Sequence, residues 1–245
     1  MIHHEGATCG ADLGEKTTGL KRFQELHRPI FLERHKEYLD RHAWDKDPNK
    51  VDVQIFDRNL RHVFVFETAV PTPDLDAGSL RSVRLLRMLQ QRHQVSLVPA
   101  LRGADPRHVD PLTQDGIRII TGCDDLPRFL AQFRDVTAAV IVNRPEAGIL
   151  FHQLIRDGFG PDVPLIFDTV DLHCARAASQ PSGDSGHTHR KYMLYRAMET
   201  FLCRNASRVW TVSEEERNTV ASWGVSPDRI DVVPIIMDPA PTPAG

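Results

Sequence analysis

The chain has 245 residues, of which 41% are hydrophobic and 26% are charged, proportions typical of a globular protein large enough to bury a core. Its 30 Lys and Arg residues nearly balance its 33 Asp and Glu residues, which leaves a formal net charge of −3. The chain therefore lacks the overall basic field that would favour nucleic acid as a partner.

The sequence patterns of a membrane span, a secretory signal and a metal site are all missing. No apolar run reaches the roughly 18 residues of a transmembrane helix, and residues 1–16 contain neither a basic nor an apolar signal region. The cysteines are scattered at Cys9, Cys123, Cys174 and Cys203 without a C-x-x-C pair, so we expect reduced thiols. These features predict a cytoplasmic protein with no bound metal and no integral membrane segment, and they leave a peripheral membrane contact open.

Residues 1–61 are predicted to form an irregular and helical extension. Within it, residues 18–46 are dense in charge and space their apolar side chains as in one or two amphipathic helices, which Pro29 would kink or separate. Residues 47–61 are rich in Asp, Asn and Arg, a composition that favours a linker.

From residue 62 to residue 238, short apolar runs alternate with longer amphipathic ones. The apolar runs predict strands at 63–67, 95–100, 117–120, 138–143, 164–169, 208–212 and 231–235. The amphipathic runs predict helices at 79–93, 126–134, 146–157, 190–205 and 213–223, with a polar loop over 177–189. Residues 239–245 form a tail rich in Pro and Ala.

Alternation of helices with fully apolar strands is typical of a parallel sheet that helices cover on both faces. We therefore predict the α/β fold class: one Rossmann-like domain over residues 62–238, preceded by the helical extension. Right-handed crossovers bring the carboxyl ends of the strands to one edge of such a sheet, where ligands bind in open α/β folds.

The turn after the first strand is the sharpest local feature at that edge. Asp76, Gly78 and Ser79 open the next helix, whose unpaired N–H groups and positive dipole end suit a phosphate or a carboxylate. The alternative is purely structural, with Asp76 or Ser79 acting as an N-cap. No G-x-G-x-x-G motif is present, which argues against a dinucleotide ligand.

Two further strand ends carry polar residues. Asp168, Asp171 and His173 follow the fifth strand, where they could orient or deprotonate a hydroxyl group, or belong to a polar loop whose carboxylates cap the next segment. Arg144 and Glu146 follow the fourth strand. The planar Arg144 fork could hold a phosphate or a carboxylate, and Glu146 is equally explained as a first-turn helix residue.

Ser213 has no predicted catalytic role. It precedes a helical pattern, and Glu216 follows three residues later, so the pair predicts a capping box.

The order and spacing of these motifs resemble the N-terminal domain of family 4 glycosyltransferases of the GT-B fold. The resemblance extends over residues 62–238 and rests on VFVFETAVPTPDLDAGSLRSVRLLRML, VIVNRPE, LIFDTVDLH, ASRVWTVSEEER and DVVPIIMD. It implies transfer of a sugar from a nucleotide-sugar donor, a co-substrate, to an acceptor in a cleft between two Rossmann-like domains. The family usually works without a metal, and we expect no other cofactor.

The resemblance also implies roles for individual residues. The glycine turn after the first strand of these enzymes lies near the donor phosphates, which corresponds to Gly78 and Ser79 here. A polar residue after the fifth strand, often His, lies in their active centre, which implies Asp171, with His173 close by. Arg144 joins Gly78 and Ser79 as a predicted substrate-binding residue.

Glu146 completes the predicted substrate-binding set. The stretch VVPIIMD resembles the family's linker into its donor domain, with Ile235 in place of the usual Asn. The donor domain itself does not follow in this sequence, so we expect it to be supplied in cis or in trans.

A second resemblance concerns the N-terminus. Residues 2–35 resemble the tail of a family 2 glycosyltransferase domain of the GT-A fold, whose closing His can bind the metal of the donor, and His3 would match it. The chain is therefore expected to be the middle piece of a multidomain glycosyltransferase.

Two functions follow from these patterns. The first is a glycosyltransferase fragment of the hexosyltransferase type, acting on a glycan or lipid-linked acceptor in surface polysaccharide synthesis once a donor domain complements it. The alternative is a non-catalytic module that binds glycans or organises other transferases, so enzymatic activity of the isolated chain stays open. An oxidoreductase or epimerase is disfavoured because the glycine fingerprint is missing.

Overall fold

The computed structural model describes residues 20–41, 60–179 and 185–235. The chain divides into two units, Met1–Asn59 and Leu60–Gly245. In the first unit the described residues form helix α1, Leu20–Arg34, and helix α2, Lys36–Arg41.

Pro29 lies inside α1, so of the two predicted alternatives, a kink or a separation of two helices at this residue, the separation is wrong. Helical backbone bonds also continue past the end of α1, with His35 N–H donating to the Phe31 carbonyl and Leu39 N–H donating to the His35 carbonyl, both at 2.9 Å. A proline removes one such bond and leaves its neighbours able to form theirs, which explains why the helical path continues.

The second unit alternates strands and helices throughout. Its strands are β1 (His62–Glu67), β2 (Gln94–Pro99), β3 (Arg118–Ile119), β4 (Thr137–Asn143), β5 (Leu165–Asp168), β6 (Arg208–Thr211) and β7 (Ile230–Val232). Its helices are α3 (Ala77–Gln90), α4 (Pro106–Gln114), α5 (Leu126–Ala131), α6 (Pro145–Phe159), α7 (His173–Ser179), α8 (Ser185–Asn205) and α9 (Glu214–Ser222). Short 3-10 turns precede β4, at Arg134–Val136, and β7, at Pro227–Arg229.

The seven strands form one parallel sheet in the order β3-β2-β1-β4-β5-β6-β7. This order reverses direction between β1 and β4, as in doubly wound folds that bind ligands at the reversal. The reversal is called the switch point below. The predicted Rossmann-like α/β fold is confirmed.

Both faces of β1 are buried, which explains its uninterrupted apolar sequence. Val63 packs in a core cluster with Leu86 of α3, whereas the Phe64 ring lies 5.0 Å from the Phe159 ring of α6. Because successive strand residues point to opposite faces of a sheet, α3 and α6 cover opposite faces. Helices on both faces hold the carboxyl ends of the strands at one open edge.

The helices differ from the sequence predictions in three places, the first of which is α7, His173–Ser179, which was not predicted. Helix α4 was not predicted, because Pro111 interrupts its pattern, although Asp105 caps it and Pro106 occupies its first turn. The predicted polar loop over 177–189 is wrong at both ends: residues 177–179 close α7 and residues 185–189 open α8. A polar sequence is compatible with helix where the side chains are exposed, as they are at His187 and His189.

The predicted N-cap at Ser213 is confirmed, since its hydroxyl oxygen accepts the Glu216 N–H at 3.2 Å. In a capping box the Glu216 carboxylate would accept the Ser213 N–H, but here its bonds go to other residues. The Glu216 carboxylate accepts the N–H groups of Leu172, at 2.9 Å, and Val212, at 3.2 Å. Glu216 therefore ties the segment after β5 to the start of α9. None of the described helices is long and apolar enough to cross a membrane.

Candidate active site

A cavity of about 250 Å³ opens at the switch point, between the segments that follow β1, β4 and β5. Its lining is strongly charged and consists of Asp76, Ala77, Gly78, Arg81, Arg144, Val170, Asp171, Arg176 and Ile235. The sequence placed Gly78, Arg144 and Asp171 at three separate strand ends, and the sheet order brings them to this one cavity. We call it the switch-point cavity.

The first turn of α3 forms one wall. Asp76 is the N-cap, and its carboxylate accepts the Ser79 N–H at 2.8 Å and the Ser79 hydroxyl at 2.6 Å. Ser79 is buried and is absent from the cavity lining, so its hydroxyl supports the cap. The cap takes up the Ser79 N–H, so the Ala77 and Gly78 positions, both in the cavity lining, present the first-turn N–H groups and the positive end of the helix dipole to the cavity.

Gly78 allows three groups to converge above this turn. A Cβ atom at residue 78 would lie 3.0 Å from Arg144 Nη2, 3.0 Å from Val170 Cγ1 and 3.1 Å from Asp76 Oδ1. These distances are shorter than ordinary van der Waals contacts, so a side chain here would displace Arg144 or Val170. The glycine therefore sets how closely Arg144 approaches the end of α3.

Arg144 reaches into the cavity from a strained backbone. Its φ of 68° and ψ of 149° lie in a region used mainly by glycine. Its N–H donates to the Asp168 carbonyl at 3.1 Å. Its guanidinium lies 3.3 Å from Asp76 Oδ1 and 3.5 Å from Glu67 Oε1. Strain of this kind persists where the surrounding contacts fix it, and it collects at functional sites.

A buried polar layer supports Arg144 from below. The Glu67 carboxylate at the end of β1 accepts the Asn143 amide at 3.0 Å, the Ser82 hydroxyl at 3.3 Å and the Thr68 N–H at 3.0 Å. Burial raises the pKa of the Glu67 carboxyl, while Arg144 and the hydrogen bonds from Asn143 and Thr68 act in the opposite direction. The layer joins β1, β4 and α3, and it therefore holds the two sides of the switch point together.

Asp168, at the end of β5, is fully buried and connects three segments. Its carboxylate pairs with the Arg81 guanidinium from α3 and accepts the Val170 N–H at 3.1 Å. Val170 has a φ of 62°, which is rare for a β-branched residue. Burial raises the pKa of the Asp168 carboxyl, and Arg81 opposes that shift. Arg144 and Val170, the two non-glycine residues with positive φ in the described part of the chain, thus line the same cavity.

Asp171 and His173 belong to a charged cluster at the start of α7. His173 Nε2 lies 3.4 Å from Asp171 Oδ1, and His173 Nδ1 lies 3.4 Å from Glu146 Oε1. The Tyr195 hydroxyl donates to Glu146 at 2.8 Å. The buried Glu199 carboxylate accepts the backbone N–H of His173 at 2.6 Å. The imidazole is buried behind Asp171, and of these five residues Asp171 alone lines the cavity.

The carboxylates of Asp171 and Glu146 determine the pKa of His173. Burial by itself would lower the pKa of His173, but the contacts with Asp171 and Glu146 outweigh it, so the pKa is raised. Burial would raise the pKa of Glu146, but His173 and Tyr195 lower it to about 2. For Asp171, His173 and Arg176 likewise outweigh burial and lower the pKa. Asp171 therefore faces the cavity as a carboxylate at neutral pH.

The predicted site residues fall into two groups. Gly78, Arg144 and Asp171 line the cavity, whereas Ser79, Glu146 and His173 lie behind it. His3 lies outside the described residues. Within those residues no group of three or more His, Cys, Asp or Glu side chains could hold a metal ion.

Arg81 and Arg176 were not singled out in the sequence. Arg81 sits beside the apolar positions of an amphipathic helix, and Arg176 lies three residues after His173, so both resemble ordinary solvated cations. Arg81 is buried because it pairs with Asp168, which is distant in sequence. Arg176 lies beside Asp171 because α7 brings the two side chains together.

Residues 78–235, more than half of the chain, match the glycosyl transferase 4-like domain. The chain belongs to this family. The match begins at Gly78 in the first turn of α3 and includes seven of the nine residues that line the cavity, all but Asp76 and Ala77. No comparison supports the predicted resemblance of residues 2–35 to a family 2 tail, and no curated protein matches the chain in sequence.

Solved structures with a similar fold include Alr3699/HepE from Anabaena. Its complexes with UDP and with UDP-glucose are 16% and 17% identical to this chain, cover 73% and 72% of it and give TM-scores of 0.44 and 0.46. NmrA, a negative transcriptional regulator solved with NADP, is 10% identical, covers 62% of this chain and gives a TM-score of 0.37. This chain spans 45%, 44% and 45% of those three chains. TM-scores this low carry no argument about chemistry.

Proposed function

We propose that this chain is the acceptor-side half of a glycosyltransferase, which transfers a sugar from a nucleotide-sugar donor to a glycan or lipid-linked acceptor. One observation carries the proposal. In a chain of the glycosyl transferase 4-like family, the switch-point cavity combines a helix N-terminus, three arginines and the carboxylates of Asp76 and Asp171. A role in cytoplasmic assembly of surface polysaccharide is the part that only the sequence resemblance supports.

The guanidinium groups and the helix N-terminus of the cavity suit the diphosphate of a nucleotide-sugar. Arg144 and Arg176 present guanidinium groups, the first turn of α3 presents backbone N–H groups, and Gly78 keeps this turn accessible. Such groups stabilise the negative charge that develops on a departing diphosphate. They supply this stabilisation without a metal or another cofactor.

Asp171 is suited to the acceptor. As a carboxylate it accepts a hydrogen bond from the attacking hydroxyl group and orients it, while its lowered pKa makes it a weak base. In the proposed step the acceptor oxygen forms a bond to the anomeric carbon. The bond from that carbon to the diphosphate breaks with its electron pair, and the hydroxyl proton passes to the diphosphate. His173 and Glu146 act as positioning residues, because they hold Asp171 from behind.

The nucleoside of the donor requires a second binding surface. We propose that a donor domain, in cis or in trans, supplies it, because residues 62–238 resemble one of the two Rossmann-like domains of a GT-B enzyme.

Calorimetric titration with pyrophosphate and with UDP tests the anion site. We expect the chain to bind both, and we expect Arg144→Met to weaken binding about tenfold or more. Arg107→Met is the matched control, since Arg107 is exposed on α4 and pairs with Asp105 away from the cavity. Absence of pyrophosphate binding, or equal effects of the two substitutions, would overturn the proposal.

Transfer is tested separately with labelled UDP-glucose and a mixture of glycan and lipid-linked acceptors. The chain is assayed alone and with the donor half of a family 4 enzyme. We expect transfer that requires Asp171 and that Asp171→Asn abolishes. Anion binding without transfer under any complementation would favour a non-catalytic glycan-binding or assembly module.

A further inference from the structure

Arg81 is a fully buried cation that links parts of the chain on both sides of the switch point. Its side chain is 1% exposed, and it projects from α3, which follows β1. Nη1 pairs with Asp168 at the end of β5, and Nη2 donates to the Val233 carbonyl at 3.0 Å, just after β7. Nε is also buried and has no hydrogen-bond partner among the described residues.

The segment after β7, residues 233–235, is held from two sides. The Val233 N–H donates to the Thr211 carbonyl of β6 at 2.7 Å, while its own carbonyl accepts Arg81. Pro234 has no N–H group, and Ile235 lines the switch-point cavity with 49% of its surface exposed. Arg81 and Ile235 therefore both line the cavity, and the hydrogen bond from the Arg81 side chain to the Val233 carbonyl ties the arginine to the segment that carries the isoleucine.

We propose that Arg81 is a positioning residue that couples anion binding in the switch-point cavity to the placement of the segment 233–235. The inference rests on the proposed anion site. A bound anion stabilises the guanidinium where it lies, and the guanidinium in turn fixes the Val233 carbonyl. Coupling between sites is reciprocal, so a fixed segment also strengthens anion binding.

The charge balance explains why an arginine is needed. A buried guanidinium that lost Asp168 or Val233 would leave an unpaired polar group in a dry environment, which is unfavourable. The planar fork engages both partners at once, whereas a lysine is a single point charge. The segment 233–235 is therefore expected to follow the guanidinium rather than move independently.

Hydrogen exchange on the unmodified full chain is the first test. Amide exchange at Val233 and Ile235 is followed with and without saturating pyrophosphate, with Gly103, in the loop after β2 and outside the cavity lining, as the reference amide. We expect pyrophosphate to slow exchange at both residues and to leave Gly103 unchanged. Pyrophosphate binding with no change at Val233 and Ile235 would overturn this inference and leave the proposed function standing. If pyrophosphate does not bind at all, both this inference and the proposed function are overturned.

Substitution of Arg81 is the second test. We expect Arg81→Met to weaken pyrophosphate binding about tenfold and to remove the ligand-dependent protection, with Arg81→Lys in between. Arg87→Met is the matched control, because Arg87 lies on the exposed side of the same helix and pairs with Asp115. A folded Arg81→Met chain with unchanged affinity and protection would overturn the inference. If Arg81→Met does not fold, the exchange experiment on the unmodified chain decides.

Discussion

Arg144 and Asp76 are joined across the switch point, with Arg144 Nη2 3.3 Å from Asp76 Oδ1. The same Asp76 carboxylate caps α3 through Ser79. The residue after β4 is thus fastened to the helix after β1, and the cap and the guanidinium share one carboxylate. An anion at the N-terminus of α3 would meet a guanidinium that Asp76 already holds in place.

Replacement of Arg144 separates its backbone role from its charge. Arg144→Gly and Arg144→Ala both remove the guanidinium, but only glycine adopts a φ of 68° without strain. We expect the glycine variant to be the more stable by about 1 kcal/mol, after allowance for the larger unfolded-state entropy of glycine. Urea unfolding measures the difference, and pyrophosphate titration should show the same loss of affinity in both. Equal stabilities would mean that the backbone is not strained.

Substitution of Gly78 by alanine tests the close approach above α3. The added methyl group would lie 3.0 Å from both Arg144 Nη2 and Val170 Cγ1, so these groups must move. Alanine is favoured over glycine within a helix by about 1 kcal/mol, which offsets the crowding in stability. We therefore expect a nearly unchanged melting temperature together with a several-fold loss of pyrophosphate affinity. A loss of stability without a loss of affinity would contradict the proposed role of Gly78.

The charged cluster around His173 predicts a pH dependence of stability. The folded-state pKa of His173 is raised above 6.5. Its contribution is therefore complete below about pH 6.5 and is lost as the pH rises through the folded-state pKa. The pKa of Glu146 is lowered from 4.5 to about 2, so its contribution is present above pH 4.5 and is lost as the pH falls toward 2. The cluster should stabilise most between about pH 4.5 and 6.5.

Unfolding free energies of the unmodified chain and of His173→Gln, measured from pH 4 to pH 9, test this window. We expect their difference to shrink as the pH rises above 6.5. His189→Gln is the control, since His189 is exposed on α8. A difference that grows on the alkaline side would show that His173 is neutral in the folded chain.

His62 should contribute a pH dependence opposite to that of His173, because its pKa is lowered and not raised. It is buried at the start of β1, where burial, and then Arg118, lower its pKa to about 3. Below about pH 6.5 the unfolded state takes up a proton that the folded state does not, so stability falls by up to about 1.4 kcal/mol per pH unit. His62→Phe should flatten this acid limb.

Ser96→Ala is the matched control for His62. The His62 ring nitrogen and the Ser96 hydroxyl are 2.9 Å apart, so both substitutions remove the same hydrogen bond. Only His62→Phe also removes the imidazole. Chemical unfolding between pH 7 and pH 4 should therefore give a shallower slope for His62→Phe than for Ser96→Ala, and parallel slopes would contradict the prediction.

The strands were predictable because a parallel sheet covered on both faces needs apolar side chains at successive positions, as in Val63, Phe64 and Val65. Helix α4 and the first turn of α8 were not predictable from periodicity. Pro111 disrupts the pattern of the former, and the exposed, polar start of the latter resembles a loop. Both are regions in which little side-chain burial marks the helix.

The sequence by itself determined the seven strands, the N-cap at Ser213 and the position of Gly78, Arg144 and Asp171 at strand ends. These features depend on local pattern, which fixes where a strand stops and a helix begins. Only the tertiary structure decided which polar residues face the cavity. Arg81 meets Asp168 across 87 positions of sequence, and Glu146 meets Tyr195 across 49. Such pairs exist only once the order of the strands has brought distant segments together, and for that reason Arg81 became part of the cavity wall while Ser79, Glu146 and His173 came to lie behind it.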